Sequence, residues 1–341
     1  MSKSYPISSF ADLRALLRRL PPADTAAAAA CRRRDVELTK PPGALGRLED
    51  LARWLCAWQG RHPPRLERVL IVVFVGWHEI ARQKVSAFPA EVTDQMVANF
   101  AAGGAAINQL ARLAGAELRV IPVGQGRPAH DFTERAAMSE AGCVRAIDIG
   151  LSAIPEGIDL VAIGEMGIAN TCAAAAVMTA LTDEAGRLWA GPGTGLDPAG
   201  VAHKAAVIDR AIMRHRAAMH DPLEILRHVG GRDLAAMLGA IVGARLQGVP
   251  VLLDGFTATV PAAVLQAMDE TAINHCQIGH CSAEPGHRRL VQRVGLPPLL
   301  DLGMRLGEAS GAALAIQLAR AAIACHNGMA TFASAQVSRK G

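Results

Sequence analysis

Eight residues near the middle of the chain, GEMGIANT at 164–171, constrain the fold most strongly. They follow an apolar run at 158–163, which predicts a buried strand, and precede an Ala- and Met-rich run at 172–181, which predicts a helix. Such a turn directs free backbone N–H groups towards one point, where an anion gains roughly 0.3–1 kcal/mol from the helix end. Glu165 would repel an anion and is better explained as an acceptor for a neutral group, such as a sugar hydroxyl. An ordinary turn capped by its Asn or Thr is an equally good explanation.

The composition is consistent with an α/β protein. The chain has 341 residues, of which 51% are hydrophobic and only 4% aromatic, so its core consists of small aliphatic side chains. This length allows one large or two modest domains. The net charge of +4 is weak, and no basic block is interleaved with aromatic residues. Nucleic acid is therefore not an expected partner.

Cysteine usage and hydropathy indicate the compartment. The seven Cys residues include no CxxC pair, which argues against a disulfide scaffold or a zinc ribbon. No apolar run reaches the roughly 18 residues that a membrane span requires. Residues 1–10 lack the charged and apolar regions of a signal peptide. We therefore expect no membrane span and a cytoplasmic location.

Strand and helix patterns alternate along most of the chain. Strands are predicted at 69–75, 117–123, 158–163, 249–253 and 272–278, and helices at 9–20, 26–34, 93–113, 138–150, 172–181, 201–218 and 302–325, with a further helix that follows a stiff loop at 40–49 and runs through Trp58. The alternation indicates a mostly parallel sheet with helices on both faces. The helices at the two ends of the chain are left over and could pack together as a small second domain.

A second glycine-rich loop, GPGTGLD at 191–197, is typical of phosphate binding. Its glycines allow close backbone approach, and Lys204 follows on the predicted helix as a point charge. The spacing is not that of a Walker loop, and GxGxxG is absent. The sequence therefore gives little support for ATP or dinucleotide binding.

A cluster of His and Cys residues remains open to more than one interpretation. His275, Cys276, His280, Cys281 and His287 form the most metal-like cluster, but their spacing matches no familiar zinc pattern. A loop of small polar residues that lines a pocket is the favoured interpretation.

Asp254, at a predicted strand end, resembles an acid of the ribose-phosphate loop of type I phosphoribosyltransferases. It could equally cap the next helix.

Glu308 is a lone acid in an apolar segment that we predict to be helical, and Arg305 is its only close cation. If Glu308 is buried, desolvation raises its pKa unless Arg305 offsets the effect, and a raised pKa suits a general base. A solvent-exposed helix residue is the alternative.

Taken together, the segments resemble a known family. They occur in family order over almost the whole chain: KPPGALGRLE at 40–49, FPAEVTDQMVANFAAGGAAIN at 88–108, GEMGIANT at 164–171, GPGTGLD at 191–197 with His203-Lys204, LLDGFTAT at 252–259, SAEPGHRRL at 282–290 and LDLGMRLGEASGAALA at 300–315. By these residues the chain resembles the nicotinate-nucleotide–dimethylbenzimidazole phosphoribosyltransferase family, which makes the lower ligand of cobalamin.

The resemblance implies both an architecture and a reaction. The architecture is a Rossmann-like sheet domain at 66–304 with a small helical domain from 1–65 and 305–341, in a homodimer. The reaction transfers the phosphoribosyl group of nicotinate mononucleotide to 5,6-dimethylbenzimidazole or a related base, and it requires no cofactor and no metal. The products are α-ribazole 5′-phosphate and nicotinate.

The resemblance also assigns roles to residues. Glu308 is the general base and Glu165 a second catalytic residue near the ribose. The implied substrate-binding residues are Gly167, Asn170, Gly193, Thr194, Lys204, Ser282, Phe88 and Met96. Because the departing nicotinate is already a pyridinium, no acid is needed, and carboxylates can stabilise an oxocarbenium-like ribose.

The chain departs from the family pattern at Trp77-His78-Glu79, where relatives carry Asp followed by His or Asn and Gly. It also has Phe88 and Met96 where some relatives have Ser and Gln, and Asn327-Gly328-Met329 lacks a Glu that is common there. The sequence leaves open a non-catalytic relative that binds a nucleotide or base, and it does not give the preferred base.

Overall fold

A parallel sheet of five strands organises the chain. In the computed structural model, which describes residues 5–124 and 126–338, the strand order is β2-β1-β3-β4-β5, and each neighbouring pair is parallel. The strands are β1 Val69–Val75, β2 Glu117–Pro122, β3 Leu160–Met166, β4 Val251–Leu253 and β5 Cys276–Ile278. The α/β fold with a parallel sheet, predicted from the sequence, is confirmed.

Helices cover both faces of the sheet. The α-helices are α1 Phe10–Leu17, α2 Thr25–Asp35, α3 Arg47–Gln59, α4 Val92–Ala102, α5 Ala106–Ala114, α6 Glu140–Leu151, α7 Asn170–Thr182, α8 Pro198–His215, α9 Pro222–Val229, α10 Arg232–Leu246, α11 Phe256–Met268, α12 Pro285–Val294 and α13 Ser310–Gly328. Successive side chains of a strand point to opposite faces, so Val72 and Phe74 join the core under α6, α7, α10 and α11, whereas Ile71 and Val73 join α2, α3, α5 and α13. Since β1 is covered on both sides, all seven of its residues are buried.

The order of the strands places a crevice beside β3. The chain runs from β1 outward to β2 and then returns to the other side of β1 to form β3. In parallel sheets ligands bind where this direction reverses, at the carboxyl ends of the strands. Glu165 lies there, opposite Phe74 in the register of β1 and β3.

The prediction of a single helix at 93–113 is wrong, because the segment forms two helices. The helix α4 ends at Ala102, and Gly103 stops it in the left-handed conformation, with φ of +78°, before α5 begins at Ala106. Glycine adopts this conformation without steric penalty, which makes it a common helix stop.

For the long helix predicted at 302–325, the predicted first residue is also wrong. The helix α13 begins at Ser310, because the three residues before it have positive φ: Gly307 at +82°, Glu308 at +60° and Ala309 at +61°. Glu308 therefore lies in a loop that precedes the helix.

Helices from the two ends of the chain share one core, except for α1, which packs in the core on the other face of the sheet. Residues of α2, α3 and α13 pack with α5 and one face of the sheet. The division of the chain into two domains, at 1–65 with 305–341 and at 66–304, stays a prediction. Among the described residues no helix is both long enough and apolar enough to cross a bilayer.

Candidate active site

A cavity of about 240 Å³ opens at the carboxyl ends of β3, β4 and β5. Six segments form its walls: the loop before α4, the turn after β3, the glycine loop before α8, the start of α11 after β4, the loop after β5, and the loop that precedes α13. Its lining includes Phe88, Glu165, Gly167, Asn170, Thr171, Gly193, Thr194, Thr257, His280, Ser282, Glu284, Arg305 and Leu306. The sheet topology therefore brings together loops that are far apart in the sequence.

The turn between β3 and α7 has the shape that the sequence predicted, but its Asn has another role. Ala169 adopts the left-handed conformation, with φ of +73°, and no side chain caps α7. Gly167 approaches the end of β1 so closely that a Cβ there would lie 2.5 Å from the carbonyl oxygen of Gly76. A larger residue at 167 would push the two strand ends apart. The interpretation of an ordinary turn capped by Asn170 is wrong, because that side chain bonds to Glu165.

Glu165 belongs to a buried polar network. Asn170 Nδ2 donates to Glu165 Oε2 and lies 3.4 Å from Asp233 Oδ2. The other oxygen of Asp233 lies 3.1 Å from His78 Nε2. Burial raises the pKa of Glu165 to about 8, and the negative charges of Asp233, Asp254 and Glu308 add to the rise. At neutral pH Glu165 is therefore mostly protonated and can donate a hydrogen bond as well as accept one.

Glu308 is buried against the same strand end. Its backbone N–H donates to the carbonyl oxygen of Glu165 at 3.0 Å, and only 4% of its surface is exposed. The N–H of Ile107, in the first turn of α5, donates to its carboxylate, whereas Oε2 has no hydrogen-bond partner among the described residues. Burial raises the pKa of Glu308 to about 7, with a contribution from Asp254. The alternative of a solvent-exposed helix residue is therefore wrong.

Arg305 does not pair with Glu308. Its Nη1 donates to the carbonyl oxygen of Gly193 at 2.7 Å, so the guanidinium attaches the loop before α13 to the second glycine loop. The positive charge of Arg305 is held on the other side of the cavity. It therefore does not offset the burial of Glu308, which raises the pKa of that carboxyl.

The second glycine loop is fixed from several directions. Gly193 has φ of +54°, and its N–H donates to Glu284 Oε1 at 2.9 Å. Thr194 Oγ1 accepts from the N–H of Ala87 at 3.1 Å. Lys204 is fully buried and its Nζ donates to Thr171 Oγ1 at 2.8 Å and to the carbonyl oxygen of Gly191 at 3.1 Å. Lys204 therefore joins the two glycine-rich turns from behind.

The structure places most, but not all, of the predicted site residues on the cavity wall. Those that line it are Phe88, Glu165, Gly167, Asn170, Gly193, Thr194 and Ser282. Lys204, Glu308 and Met96 do not line it: Met96 is half-buried and packs against the core on the α13 side of the sheet. The roles assigned to all ten residues stay predictions.

Two charged residues of the cavity wall, Glu284 and Arg305, were not predicted from the sequence to belong to the site. Both lie in segments that carried the family resemblance, at 282–290 and 300–315. Neither residue belongs to a spaced motif, so only the fold shows that they meet at Gly193.

Asp254 has a role that neither interpretation gave. Its Oδ1 accepts from the N–H groups of Gly311 at 2.8 Å and Ala312 at 3.0 Å. It therefore caps α13 and not α11, the next helix in the chain. The carboxylate fixes the start of α13, directly after Glu308.

Two histidines of the cluster at 275–287 bond to separate backbone groups instead of facing a common point. His275 Nε2 lies 2.9 Å from the carbonyl oxygen of Ile241, and His287 Nδ1 accepts from the N–H of Ser282 at 2.8 Å. Across residues 5–124 and 126–338, no group of three or more His, Cys, Asp or Glu side chains is arranged to hold a metal ion.

The segment that departs from the family pattern has structural partners. Trp77 Nε1 donates to Asp94 Oδ1 at 3.0 Å, and Glu79 Oε2 accepts from the N–H of Asp131 at 3.3 Å. His78 lies against Asp233, as described above. The segment thus fixes the loop after β1 and supports the network that ends at Glu165.

Comparison with known proteins decides the family. A family model described as a phosphoribosyltransferase matches residues 20–337. The nicotinate-nucleotide–dimethylbenzimidazole phosphoribosyltransferase of Sinorhizobium medicae is 53% identical over 331 residues, which cover 97% of this chain and 98% of that protein. The chain belongs to this phosphoribosyltransferase family.

Further members of the family agree in sequence and in fold. The protein of the same name from Mesorhizobium japonicum is 53% identical over 336 residues, covering 98% of this chain and 100% of that protein. The crystal structure of CobT from Thermus thermophilus superimposes with a TM-score of 0.86 at 41% identity, and covers 92% of this chain and 100% of that one. The family predicted from the sequence is confirmed. These relatives carry the name of the transferase, and none of those compared supports the alternative of a non-catalytic paralogue.

Proposed function

We propose that the chain transfers the phosphoribosyl group of nicotinate mononucleotide to 5,6-dimethylbenzimidazole or a related base, giving α-ribazole 5′-phosphate and nicotinate in the assembly of the lower ligand of cobalamin. The names of its relatives support this reaction. The structural observation that carries it is the buried carboxylate of Glu308, which keeps one oxygen without a partner among the described residues at the loop that borders the cavity.

The arrangement suits a single proton transfer. The attacking nitrogen of the base becomes cationic unless the N–H on the other nitrogen of its ring is removed. A carboxylate whose pKa is about 7 is about half ionised at neutral pH, and in its ionised form it is a sufficiently strong base. Glu308 would take this proton, and the exposed apolar side chains of Phe88 and Leu306 offer a surface for a flat heterocycle.

The other end of the cavity suits the sugar phosphate. In the first turn of α7, the N–H groups of Asn170 and Cys172 already donate to backbone carbonyl oxygens. Thr171, between them, lines the cavity, and its backbone N–H would bind an anion there. Glu165, in the same turn, would hydrogen-bond the ribose and stabilise positive charge on it when ionised. Gly193 and Thr194 would complete the phosphate site.

The reaction can be tested with purified protein. Incubation with nicotinate mononucleotide and dimethylbenzimidazole should yield nicotinate and α-ribazole 5′-phosphate in equal amounts, measured by chromatography and mass spectrometry. A panel that includes adenine and phenols will identify the preferred base. Tight binding of both substrates without product would favour the non-catalytic alternative.

The pH dependence should follow the ionisation of Glu308. A base works only as the carboxylate, so kcat/KM should fall about tenfold per pH unit below the pKa of Glu308, which is about 7, and level off above it. The measurement is the initial rate across neutral pH at constant ionic strength. The Glu308→Gln variant should lose this acidic limb, and a limb that persists in the variant would assign the titration to another group.

Lys204 should act on nucleotide binding through the two loops that it joins. Replacing it by Met removes both of its hydrogen bonds, to Thr171 and to Gly191, and should raise the KM for nicotinate mononucleotide about tenfold or more. The KM for the base should change little. Lys84→Met, at an exposed lysine, is the control and should leave both constants unchanged. An equal rise in both KM values would contradict a role specific to the nucleotide.

We also propose that the enzyme is a homodimer in the cytoplasm. The family resemblance supports the homodimer, and the seven cysteines, none of which forms a disulfide, support a reducing compartment. Sedimentation equilibrium and fractionation of cells that produce the protein test the two proposals separately.

A further inference from the structure

A second cavity, of about 330 Å³, lies at the end of β2, away from the candidate active site. It is lined by the loop after β2, by one side of α6 and by the first residue of α10. Three of its lining residues are arginines: Arg127, Arg145 and Arg232. None of the described lining residues is acidic.

The three guanidinium groups are not neutralised by any residue that the structure describes. Of the residues that the structure describes, none forms an ion pair with Arg127, Arg145 or Arg232. Of the acids near this cluster, Glu224 pairs with Arg227 at 2.7 Å, and Glu140 Oε1 accepts from the N–H of Phe10 at 3.5 Å. Like charges repel one another, so an unpaired cluster of this kind is stabilised by a bound anion.

Two glycines hold Arg232 in the cavity wall. A Cβ at Gly124 would lie 2.6 Å from Arg232 Cδ, so only glycine leaves room for the arginine stem. A Cβ at Gly142 would lie 3.2 Å from Arg232 Nη1 and 3.9 Å from Arg145 Nη2. The guanidinium groups of Arg232 and Arg145 therefore converge on the same point above α6. Arg232 Nε is buried and has no hydrogen-bond partner in the described residues.

The N-terminus of α10 adds to the positive potential of the cavity. Arg232 is the first residue of α10, and its N-cap residue, Gly231, has no side chain to cap the helix. The helix α6 contributes only its side, because Ser139 already caps its N-terminus by accepting from the N–H of Gly142 at 3.1 Å. Helix N-termini favour anions, and guanidinium groups bind phosphate oxygens in a bidentate manner.

We infer that this arginine-lined cavity is a binding site for a phosphomonoester, distinct from the candidate active site. The unpaired guanidinium groups of Arg127, Arg145 and Arg232 would hold the phosphate group. The cavity is larger than a phosphate ion needs, which leaves room for the small organic group that carries it. The inference does not rest on the transfer reaction proposed above.

The site can be tested by counting bound ligands. Equilibrium dialysis with radiolabelled ribose 5-phosphate gives the number of equivalents bound by the wild type and by the Arg127→Gln/Arg145→Gln double variant. Both arginines are exposed, so the variant should fold, which circular dichroism will confirm. The double variant should bind one equivalent fewer than the wild type. Arg214→Gln, at an exposed arginine in the last turn of α8, should bind as many as the wild type.

Counting the difference between two proteins separates this site from the active site. Ligand that binds at the glycine loops binds to the wild type and to the double variant alike, so it does not contribute to the difference in bound equivalents. Equal numbers of equivalents in both proteins would overturn the site. A parallel titration with inorganic phosphate tests the ligand class: if the equivalent lost in the variant binds inorganic phosphate more tightly than ribose 5-phosphate, the phosphomonoester assignment is wrong.

Discussion

The Glu308→Gln variant should lose a factor of about 10²–10⁴ in kcat, because general-base catalysis typically contributes this much. Glutamine keeps the size of the side chain and can still accept the hydrogen bond from Ile107, but it cannot take a proton. Since the carboxylate lies outside the glycine loops, the affinity for nicotinate mononucleotide should stay within about twofold of the wild type. Initial rates and calorimetric titration of the nucleotide measure the two quantities.

A matched glutamate provides the control for this variant. Glu270 is exposed and precedes the amino end of β5, whereas the cavity opens at the carboxyl ends of the strands. Glu270→Gln should therefore keep the wild-type kcat. Wild-type turnover in Glu308→Gln would remove Glu308 from the mechanism, and a loss of nucleotide binding would give it a structural role instead.

Gly239→Ala should destabilise the protein by about 1–3 kcal/mol or more, as overpacking does in well-packed cores. The helices α6 and α10 meet through glycines: a Cβ at Gly239 would lie 2.0 Å from the carbonyl oxygen of Ile147, and one at Gly150 would lie 1.8 Å from that of Ala236. These contacts are with backbone, which cannot rotate away as a flexible side chain can. A single methyl group must therefore separate the two helices.

The same substitution at Gly328 isolates the packing effect. Gly328 is the last residue of α13, and a Cβ there would meet nothing within 4 Å. In a helix, replacing Gly by Ala is otherwise worth up to about 1 kcal/mol in favour of Ala, so Gly328→Ala should be neutral or slightly stabilising. The measurement is the urea midpoint of unfolding for both variants. If Gly239→Ala unfolds at the wild-type midpoint or above, the close packing of α6 on α10 is wrong.

The sequence predicted strands well where burial is uniform and turns are marked. The strand at 69–75 has the observed bounds, because it is a continuous apolar run that ends at a glycine. The helix α10 was not predicted. All residues from Asp233 to Arg245 are buried, so the segment has no polar face and no helical period to detect.

Helix ends were harder to predict than helix positions. The start of α13 was misplaced because an Ala-rich pattern does not show that Gly307, Glu308 and Ala309 adopt positive φ. That conformation depends on tertiary contacts: Glu308 bonds to the backbone of Glu165, and Asp254 caps the helix from another strand. A single sequence does not show either contact.

Part of the candidate site could be predicted from the sequence, and part could not. Glu165, Gly167 and Asn170 could be found because one strand-to-helix turn carries them all. The meeting of Glu284 and Arg305 at Gly193 depends on three separate loops. The arginine cavity likewise joins residues from the ends of β2 and α10 and from the face of α6, and no motif in the sequence marks it.

A crystal structure of the protein with dimethylbenzimidazole and nicotinate mononucleotide will show whether Glu308 reaches the base. We expect a carboxylate oxygen of Glu308 within hydrogen-bond reach of a ring nitrogen of the base, at about 2.6–3.2 Å. We expect the phosphate at the glycine loops, between Gly167 and Gly193. A base bound with both nitrogens beyond the reach of Glu308 would rule out Glu308 as the general base.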